Sequence, residues 1–195
     1  VVLLRLEGTS GLDGLCALMV PAQLEGARIN NDVQKLGLTA APSASYVFED
    51  AVVSQSCMLG QPGNPGVVRA ATLYSILRAG VACGMARAAL EYAREYAKER
   101  IAFGRPIASY QGIAFIVAEM AMHLDAARLL AWRAAASWDR EIDNKTLVLE
   151  AEAAQRQAIS IAKSATIDAI QVLGGAGFMQ DHPAEMWMRN AAAME

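Results

Sequence analysis

The sequence predicts an α+β protein, mainly α, in which a partial β-barrel or sheet segment is followed by an antiparallel four-helix bundle. Three observations lead to this prediction. Residues 1–59 alternate short apolar runs with turns that contain glycine or proline, as strands do. The segment 60–66 reads Gly-Gln-Pro-Gly-Asn-Pro-Gly and interrupts that pattern. From there to residue 195 the chain is rich in alanine, and its apolar residues recur every three to four positions, as in helices.

We therefore expect two domains, a partial β-domain over residues 1–59 and a helical bundle over residues 60–195. Apolar runs in the first part predict strands over 1–6, 15–20, 27–33 and 44–48. The glycines and prolines between these runs are spaced as in a barrel or sandwich.

The first predicted helix of the bundle ends at Arg100. Its buried face is expected to include Leu77, Gly80, Val81 and Gly84, because these residues follow the spacing of one side of a helix. The two glycines on this face would allow a neighbouring helix to approach closely.

Three further helices are predicted. The second covers about 111–140, and the third covers about 146–173 with Thr146 as its N-cap. A shorter helix follows Pro183, which completes an antiparallel bundle of four.

Composition excludes several classes of partner. The 195 residues carry a net charge of −3 with both signs interspersed, so no basic surface for nucleic acid is expected. No apolar run looks long enough to span a bilayer. The three cysteines, Cys16, Cys57 and Cys83, are odd in number and far apart, which predicts reduced thiols and a cytoplasmic location.

The first motif with chemical potential runs from Arg100 to Pro106 and is followed by Tyr110 and Gln111. An arginine at the end of a helix can bind a pyrophosphate through two parallel hydrogen bonds. Phe103 could pack under an adenine or into the bundle, and the helix that begins at Gln111 favours an anion at its N-terminus. The alternative is a simple corner between two helices with an exposed arginine.

The second motif covers residues 171–178, Gln-Val-Leu-Gly-Gly-Ala-Gly-Phe, and follows the third helix. Gly174 and Gly175 permit left-handed backbone angles and close approach of a ligand or another chain. A helix C-cap is the alternative interpretation. The two motifs together favour a site for a phosphate-bearing cofactor.

The two histidines do not point to a metal site. Glu119 and His123 lie four positions apart, whereas a di-iron bundle needs Glu-x-x-His on two helices. We therefore expect no bound metal. His182 precedes Pro183, and we expect it to cap the next helix rather than to take part in catalysis.

Four segments, taken together, resemble the acyl-CoA dehydrogenase family. They are residues 96–107 with Gln111, residues 171–178 followed by Met-Arg-Asn at 188–190, Lys-Leu-Gly at 35–37, and residues 47–53. They cover nearly the whole chain in the order that the family shows.

The resemblance implies an oxidoreductase that uses FAD to remove two hydrogens from an acyl-CoA thioester, in fatty acid metabolism. It implies a middle β-domain, a C-terminal four-helix bundle, and assembly as a homodimer or homotetramer. An electron-transfer flavoprotein or another acceptor would take the electrons. By the resemblance, FAD would contact Arg100, Ala102, Phe103, Tyr110, Gln111, Gln171, Gly174 and Gly175.

The resemblance places the family's catalytic glutamate just beyond Glu195, so no catalytic residue is assigned within the chain. The alternative position for a base, on the first bundle helix, matches Tyr74, which is not a base. Arg78 is a candidate contact for the substrate. We therefore expect a fragment that is inactive alone. A flavin oxidase or monooxygenase on the same scaffold, and a non-catalytic helical oligomerisation module, are the alternatives.

Overall fold

The computed structural model describes the backbone of residues 1–195 and the side chains of residues 1–30 and 33–195. It confirms the predicted fold class. The strands and helices are, in chain order, β1 Val2–Arg5, β2 Leu15–Leu18, β3 Ala27–Asp32, β4 Ala44–Phe48, α1 Pro65–Glu99, β5 Ile101–Ala102, β6 Arg105–Pro106, α2 Gln111–Asp139, α3 Asn144–Leu173 and α4 Ala184–Ala192.

The N-terminal strands form two separate antiparallel ladders, β1 with β2 and β3 with β4. The segment 57–59 runs beside β2, where the Met19 N–H donates to the Cys57 carbonyl at 2.8 Å and the Leu59 N–H to the Ala17 carbonyl at 2.8 Å. This segment joins the first ladder to the start of α1.

Alanine forms most of the core of the bundle. Along α1 the side chains of Ala79, Ala82, Ala86, Ala89 and Ala93 are completely buried. Small side chains at a helix contact allow the backbones to lie close together, so many weak dispersion contacts replace a few large side chains. The bundle is consequently stabilised by close contact between helix backbones rather than by large buried side chains.

The predicted buried face of α1 is wrong. Leu77 and Val81 are 60% and 56% exposed, and Gly80 and Gly84 are exposed as well. Nearly every position of α1 between its charged residues is apolar. More than one face of the helix therefore shows apolar residues at the three-to-four spacing that predicts burial. The alanine stripe is the one that fits between α2 and α3.

The third helix begins earlier than predicted and has a different cap. The Thr146 N–H donates to Oδ1 of Asp143 at 2.9 Å, so Asp143 is the N-cap and Thr146 lies within the first turn. An aspartate satisfies the free N–H groups of a first turn better than threonine does.

Among the residues that the structure describes, helix α1 meets a length and composition criterion for a membrane-spanning helix. By length and composition alone it is long and apolar enough to cross a bilayer. The expectation that no run reaches this length is therefore wrong. The finding is weak evidence for a membrane span, because the core helix of a soluble protein meets the same criterion.

All three cysteines are free thiols, as predicted. Cys16 and Cys83 are buried, and burial raises the pKa of the Cys83 thiol while the nearby Arg128 guanidinium opposes that change. Cys83 is therefore a protonated packing residue at neutral pH.

Candidate cofactor-binding groove

The two predicted motifs meet at one groove of about 510 Å³ at the end of the bundle. The corner between α1 and α2 forms one side of this groove, and the end of α3 forms the other. Six of the eight predicted cofactor residues line it, namely Arg100, Ala102, Phe103, Tyr110, Gly174 and Gly175. Residues some 70 positions apart in sequence thus face a common space, while their role towards a cofactor stays a prediction.

A two-residue hairpin turn shapes the first side of the groove. β5 pairs with β6 so that Ala102 opposes Arg105, which leaves Phe103 and Gly104 as the turn. Both turn residues have positive φ, +51° and +83°, as a type I′ turn requires. The Phe103 side chain is 97% exposed, an unusual position for so large an apolar ring.

Tyr110 holds this hairpin in place. Its hydroxyl donates to the Ala102 carbonyl at 3.0 Å, and its ring lies edge-on to Phe103 at 6.5 Å between centroids. The Arg105 guanidinium lies over the Tyr110 ring at 4.1 Å, which adds a cation–π contact. The sequence interpretation did not single out Arg105, although the residue belongs to the first motif.

The backbone of Arg100 is held by hydrogen bonds, while its side chain forms no salt bridge with a described residue. Its N–H donates to the Tyr96 carbonyl, and its carbonyl accepts from Ile107, both at 2.9 Å. Among the side chains that the structure describes, no carboxylate lies within salt-bridge distance of its guanidinium. By contrast, Arg94 and Lys98 on the preceding turns both pair with Glu95. The exposed guanidinium can therefore accept an anionic ligand.

The end of α3 forms the opposite side of the groove. Gly174 adopts φ +60° and caps the helix with its N–H, which confirms that this glycine is a C-cap. A Cβ at Gly175 would meet nothing within 4 Å, so the backbone there is open to an approaching ligand. Gly177 has a packing role, because its Cβ would lie 2.6 Å from the Ile170 carbonyl oxygen.

Two predicted cofactor residues stand outside the groove lining. Gln111 is exposed at the start of α2, and Gln171 is exposed on the last turn of α3. Both border the groove through their neighbours in sequence. Tyr96, which the sequence interpretation did not include among the cofactor contacts, lines the groove one turn before Arg100.

Arg78 lies at a separate cavity of about 600 Å³, which Glu195 also lines. The Arg78 guanidinium donates to the Met194 carbonyl at the end of α4 and lies 5.9 Å from the centre of the Tyr74 ring. The Glu195 carboxylate binds Lys163 on α3 at 2.7 Å. Arg78 thus binds the backbone that follows α4, and Glu195 joins that segment to α3.

Asp168 faces the Glu119 and His123 pair across the contact between α2 and α3. Burial raises the pKa of Asp168, the Glu119 carboxylate raises it further, and His123 opposes both effects. Within the described side chains no three potential ligands gather into a metal site. Asp168 lies 45 positions after His123 and 49 positions after Glu119 in the sequence, so only the tertiary structure reveals this cluster.

The architecture is that of a helical bundle with a flanking β-segment and a groove at a helix corner. A family model described as "Acyl-CoA dehydrogenase, C-terminal domain" matches residues 66–195. This chain therefore belongs to the acyl-CoA dehydrogenase family.

Relatives and a solved structure agree with this assignment. An acyl-CoA dehydrogenase of Bacillus subtilis (strain 168) is 38% identical over 184 residues, which cover 93% of this chain and 48% of the relative. The mitochondrial short-chain specific acyl-CoA dehydrogenase of Bos taurus is also 38% identical, with 93% and 44% covered. Butyryl-CoA dehydrogenase from Megasphaera elsdenii superposes with a TM-score of 0.84 at 29% identity, with 98% and 50% covered. The chain thus spans about half the length of these proteins.

A nitroalkane oxidase structure shares the fold with a TM-score of 0.85, at 20% sequence identity over 96% of this chain and 46% of that one. This likeness shows that an oxidase also uses the scaffold. It concerns the fold alone.

Proposed function

We propose that this chain forms the adenosine-diphosphate side of an FAD site in an acyl-CoA dehydrogenase that acts on short-chain acyl-CoA. The observation that carries the proposal is the meeting of Arg100, Phe103 and Gly175 around one groove. The names of the similar proteins from Bacillus subtilis and Bos taurus support the reaction, and the name of the Bos taurus protein supports the short acyl chain.

The chemistry of the groove fits that part of the cofactor. The free Arg100 guanidinium can donate two parallel hydrogen bonds to a pyrophosphate. The exposed Phe103 ring offers a flat apolar face on which an adenine can stack. The open backbone at Gly175 admits a ligand where any side chain would intrude.

FAD, when bound, supplies the acceptor for the hydride removed from the substrate. This chain's residues bind and orient the cofactor, and none of them is assigned as the base. Glu195 is paired with Lys163, which favours a structural role for that carboxylate. We expect the 195 residues to bind FAD through this groove.

The remaining assignments belong to the same proposal. The substrate is an acyl-CoA thioester, with Arg78 as a candidate contact, and an electron-transfer flavoprotein or another acceptor reoxidises the cofactor. The protein works as a homodimer or homotetramer in the cytoplasm. Exposed apolar residues of α2, Phe115, Met122, Leu129 and Trp132, support assembly, because such a stripe is unusual on an isolated chain.

Dehydrogenase chemistry is favoured over the oxidase alternative by sequence similarity. The named dehydrogenases are 38% identical to this chain, whereas the nitroalkane oxidase is 20% identical. The oligomerisation module without a cofactor makes a different prediction, namely a stable oligomer that ignores FAD.

Equilibrium binding of FAD to the purified chain, followed by flavin fluorescence and by mass in solution, tests the proposal. We expect Arg100→Lys to weaken binding roughly tenfold, because lysine keeps the charge but loses the second hydrogen bond. Arg87→Lys, at an exposed residue of α1 paired with Glu91, is the matched control and should bind as the unmodified chain does. An oligomer without FAD affinity would instead support the oligomerisation module.

A further inference from the structure

We propose that His182 is a positioning residue of the groove, which holds Tyr96 and the turn after α3 in place through a hydrogen bond to Tyr92. The inference rests on the proposed function, since it concerns the groove assigned there to the adenosine-diphosphate part of FAD. It also replaces the expected capping role. The N-cap of α4 is Pro183, without a side-chain hydrogen bond, and the His182 ring points elsewhere.

The His182 side chain contacts two tyrosines of α1, Tyr92 and Tyr96. The Tyr92 hydroxyl and Nδ1 of His182 lie 2.7 Å apart, and both residues are half-buried. The Tyr92 ring also meets Trp187 of α4 edge-on, with 5.7 Å between centroids. A hydrogen bond inside such a cluster is shielded from water, which strengthens it.

Two connections lead from His182 to the groove. Its ring lies edge-on to Tyr96 at 5.8 Å, and Tyr96 lines the groove on the α1 side. Its backbone N–H donates to the Met179 carbonyl at 3.1 Å, and the Met179 N–H donates to the Ala176 carbonyl at 3.2 Å. Ala176 lines the opposite side. His182 therefore joins both sides of the groove.

The turn over residues 174–178 needs such an anchor. Three of its five residues are glycine, which has the largest backbone freedom to lose and no side chain to hold it. Gly177 packs on Ile170 within the turn, and the chain of hydrogen bonds from His182 fixes the residues that follow. A groove ordered before binding loses less conformational entropy when the ligand arrives, which raises affinity.

The test compares three variants of the 195-residue chain: Tyr92→Phe, His182→Phe and the double variant. Two properties are measured, the Kd for FAD and the hydrogen-exchange rates of the amides of residues 174–179. Each single variant should weaken FAD binding roughly 3- to 10-fold, the range of one lost hydrogen bond, and should speed exchange by a similar factor. The double variant should equal the singles, because both remove the same bond.

Three controls separate positioning from general destabilisation. His182→Asn keeps a polar atom near the Nδ1 position and should retain most of the affinity. Tyr46→Phe makes the same change at an exposed residue of β4 and should have no effect. Exchange of the completely buried alanines of α1 serves as the internal reference for global stability.

Two results would overturn the proposal: single variants with unchanged affinity and exchange, or effects that add in the double variant. Failure of the unmodified chain to bind FAD would instead contradict the proposed function. Exchange of residues 174–179 would then decide the positioning role by itself, with faster exchange in Tyr92→Phe supporting it and unchanged exchange refuting it. Since Tyr92→Phe removes a single oxygen atom, the variant retains the fold.

Discussion

The backbone N–H of Leu38 donates a hydrogen bond to Oδ1 of Asn190 at 2.7 Å, across 152 positions of sequence. Arg189 reinforces this contact by donating to the Leu36 carbonyl at 3.2 Å while it pairs with Glu185. Two segments that carry the family resemblance, Lys-Leu-Gly at 35–37 and Met-Arg-Asn at 188–190, are therefore neighbours in space. Together they fasten the β-segment to α4.

Substitution at the centre of this contact is expected to be costly. A Cβ at Gly37 would lie 2.0 Å from the Arg189 carbonyl oxygen and 2.6 Å from the Asn190 nitrogen, both backbone atoms that cannot rotate away. Gly37→Ala should lower the free energy of unfolding by about 1–3 kcal/mol, as overpacking does. Urea denaturation measures the change.

Gly80→Ala is the matched control, because a Cβ on that exposed helical glycine meets nothing within 4 Å. It should stabilise the chain by about 0.5–1 kcal/mol through reduced chain entropy. Equal stabilities for the two alanine variants would show that the contact between residues 35–38 and α4 is not formed.

The buried face of α1 gives a second prediction. Ala86 is completely buried, so Ala86→Leu should overpack the bundle and cost about 1–3 kcal/mol. Leu77 is 60% exposed, so Leu77→Ala should change stability by no more than about 0.5 kcal/mol in the monomeric chain. Thermal unfolding of both variants distinguishes the observed face from the one the sequence predicts, which would give the reverse order.

Substitutions at the two adjacent glycines of the groove should have different effects, one on the stability of the fold and the other on FAD binding. Gly174 has φ +60°, so Gly174→Ala strains the backbone and should cost about 1–3 kcal/mol of stability. Gly175→Val places its side chain in open space and should leave stability nearly unchanged while it obstructs the groove, with a roughly tenfold loss of FAD affinity. A Gly175→Val chain that binds FAD normally would place the cofactor elsewhere.

Asp168 predicts a dependence of stability on pH. Burial and the Glu119 carboxylate raise the pKa of Asp168, so the folded chain holds this proton more tightly than the unfolded chain does. Ionisation of Asp168 therefore destabilises the fold. Well below pH 3.8 the group is protonated in both the folded and the unfolded chain and does not change the free energy of unfolding. As pH rises through the raised pKa, the free energy of unfolding falls.

Asp168→Asn, which mimics the protonated group, should raise stability at neutral pH by up to about 1 kcal/mol after solvent screening is considered. The gain should vanish at low pH. Asp125→Asn, at an exposed aspartate of α2 that pairs with Arg128, is the control and should show no such gain. Unfolding curves at several pH values measure the difference, and an equal gain at all pH values would contradict the explanation.

The sequence by itself determined the order and type of the four N-terminal strands and the four helices, but not the short hairpin of β5 and β6. Glycines and prolines around short apolar runs defined the four N-terminal strands, and the long alanine-rich segments defined the helices, because these signals are local to the chain. The helix ends at Arg100 and Gly174 followed from turn chemistry for the same reason. The resemblance of four motifs then indicated the family.

Only the tertiary structure decided which surfaces meet. On α1 two stripes satisfy the same period, and neighbouring helices select the alanine stripe rather than that of Leu77 and Val81. The contact of Leu38 with Asn190 and the hydrogen bond of Tyr92 to His182 join residues that no local pattern connects. Long-range contacts depend on how whole helices and strands pack against one another. That packing is decided by the shapes and volumes of side chains that are distant in sequence, so no local pattern of residues predicts it.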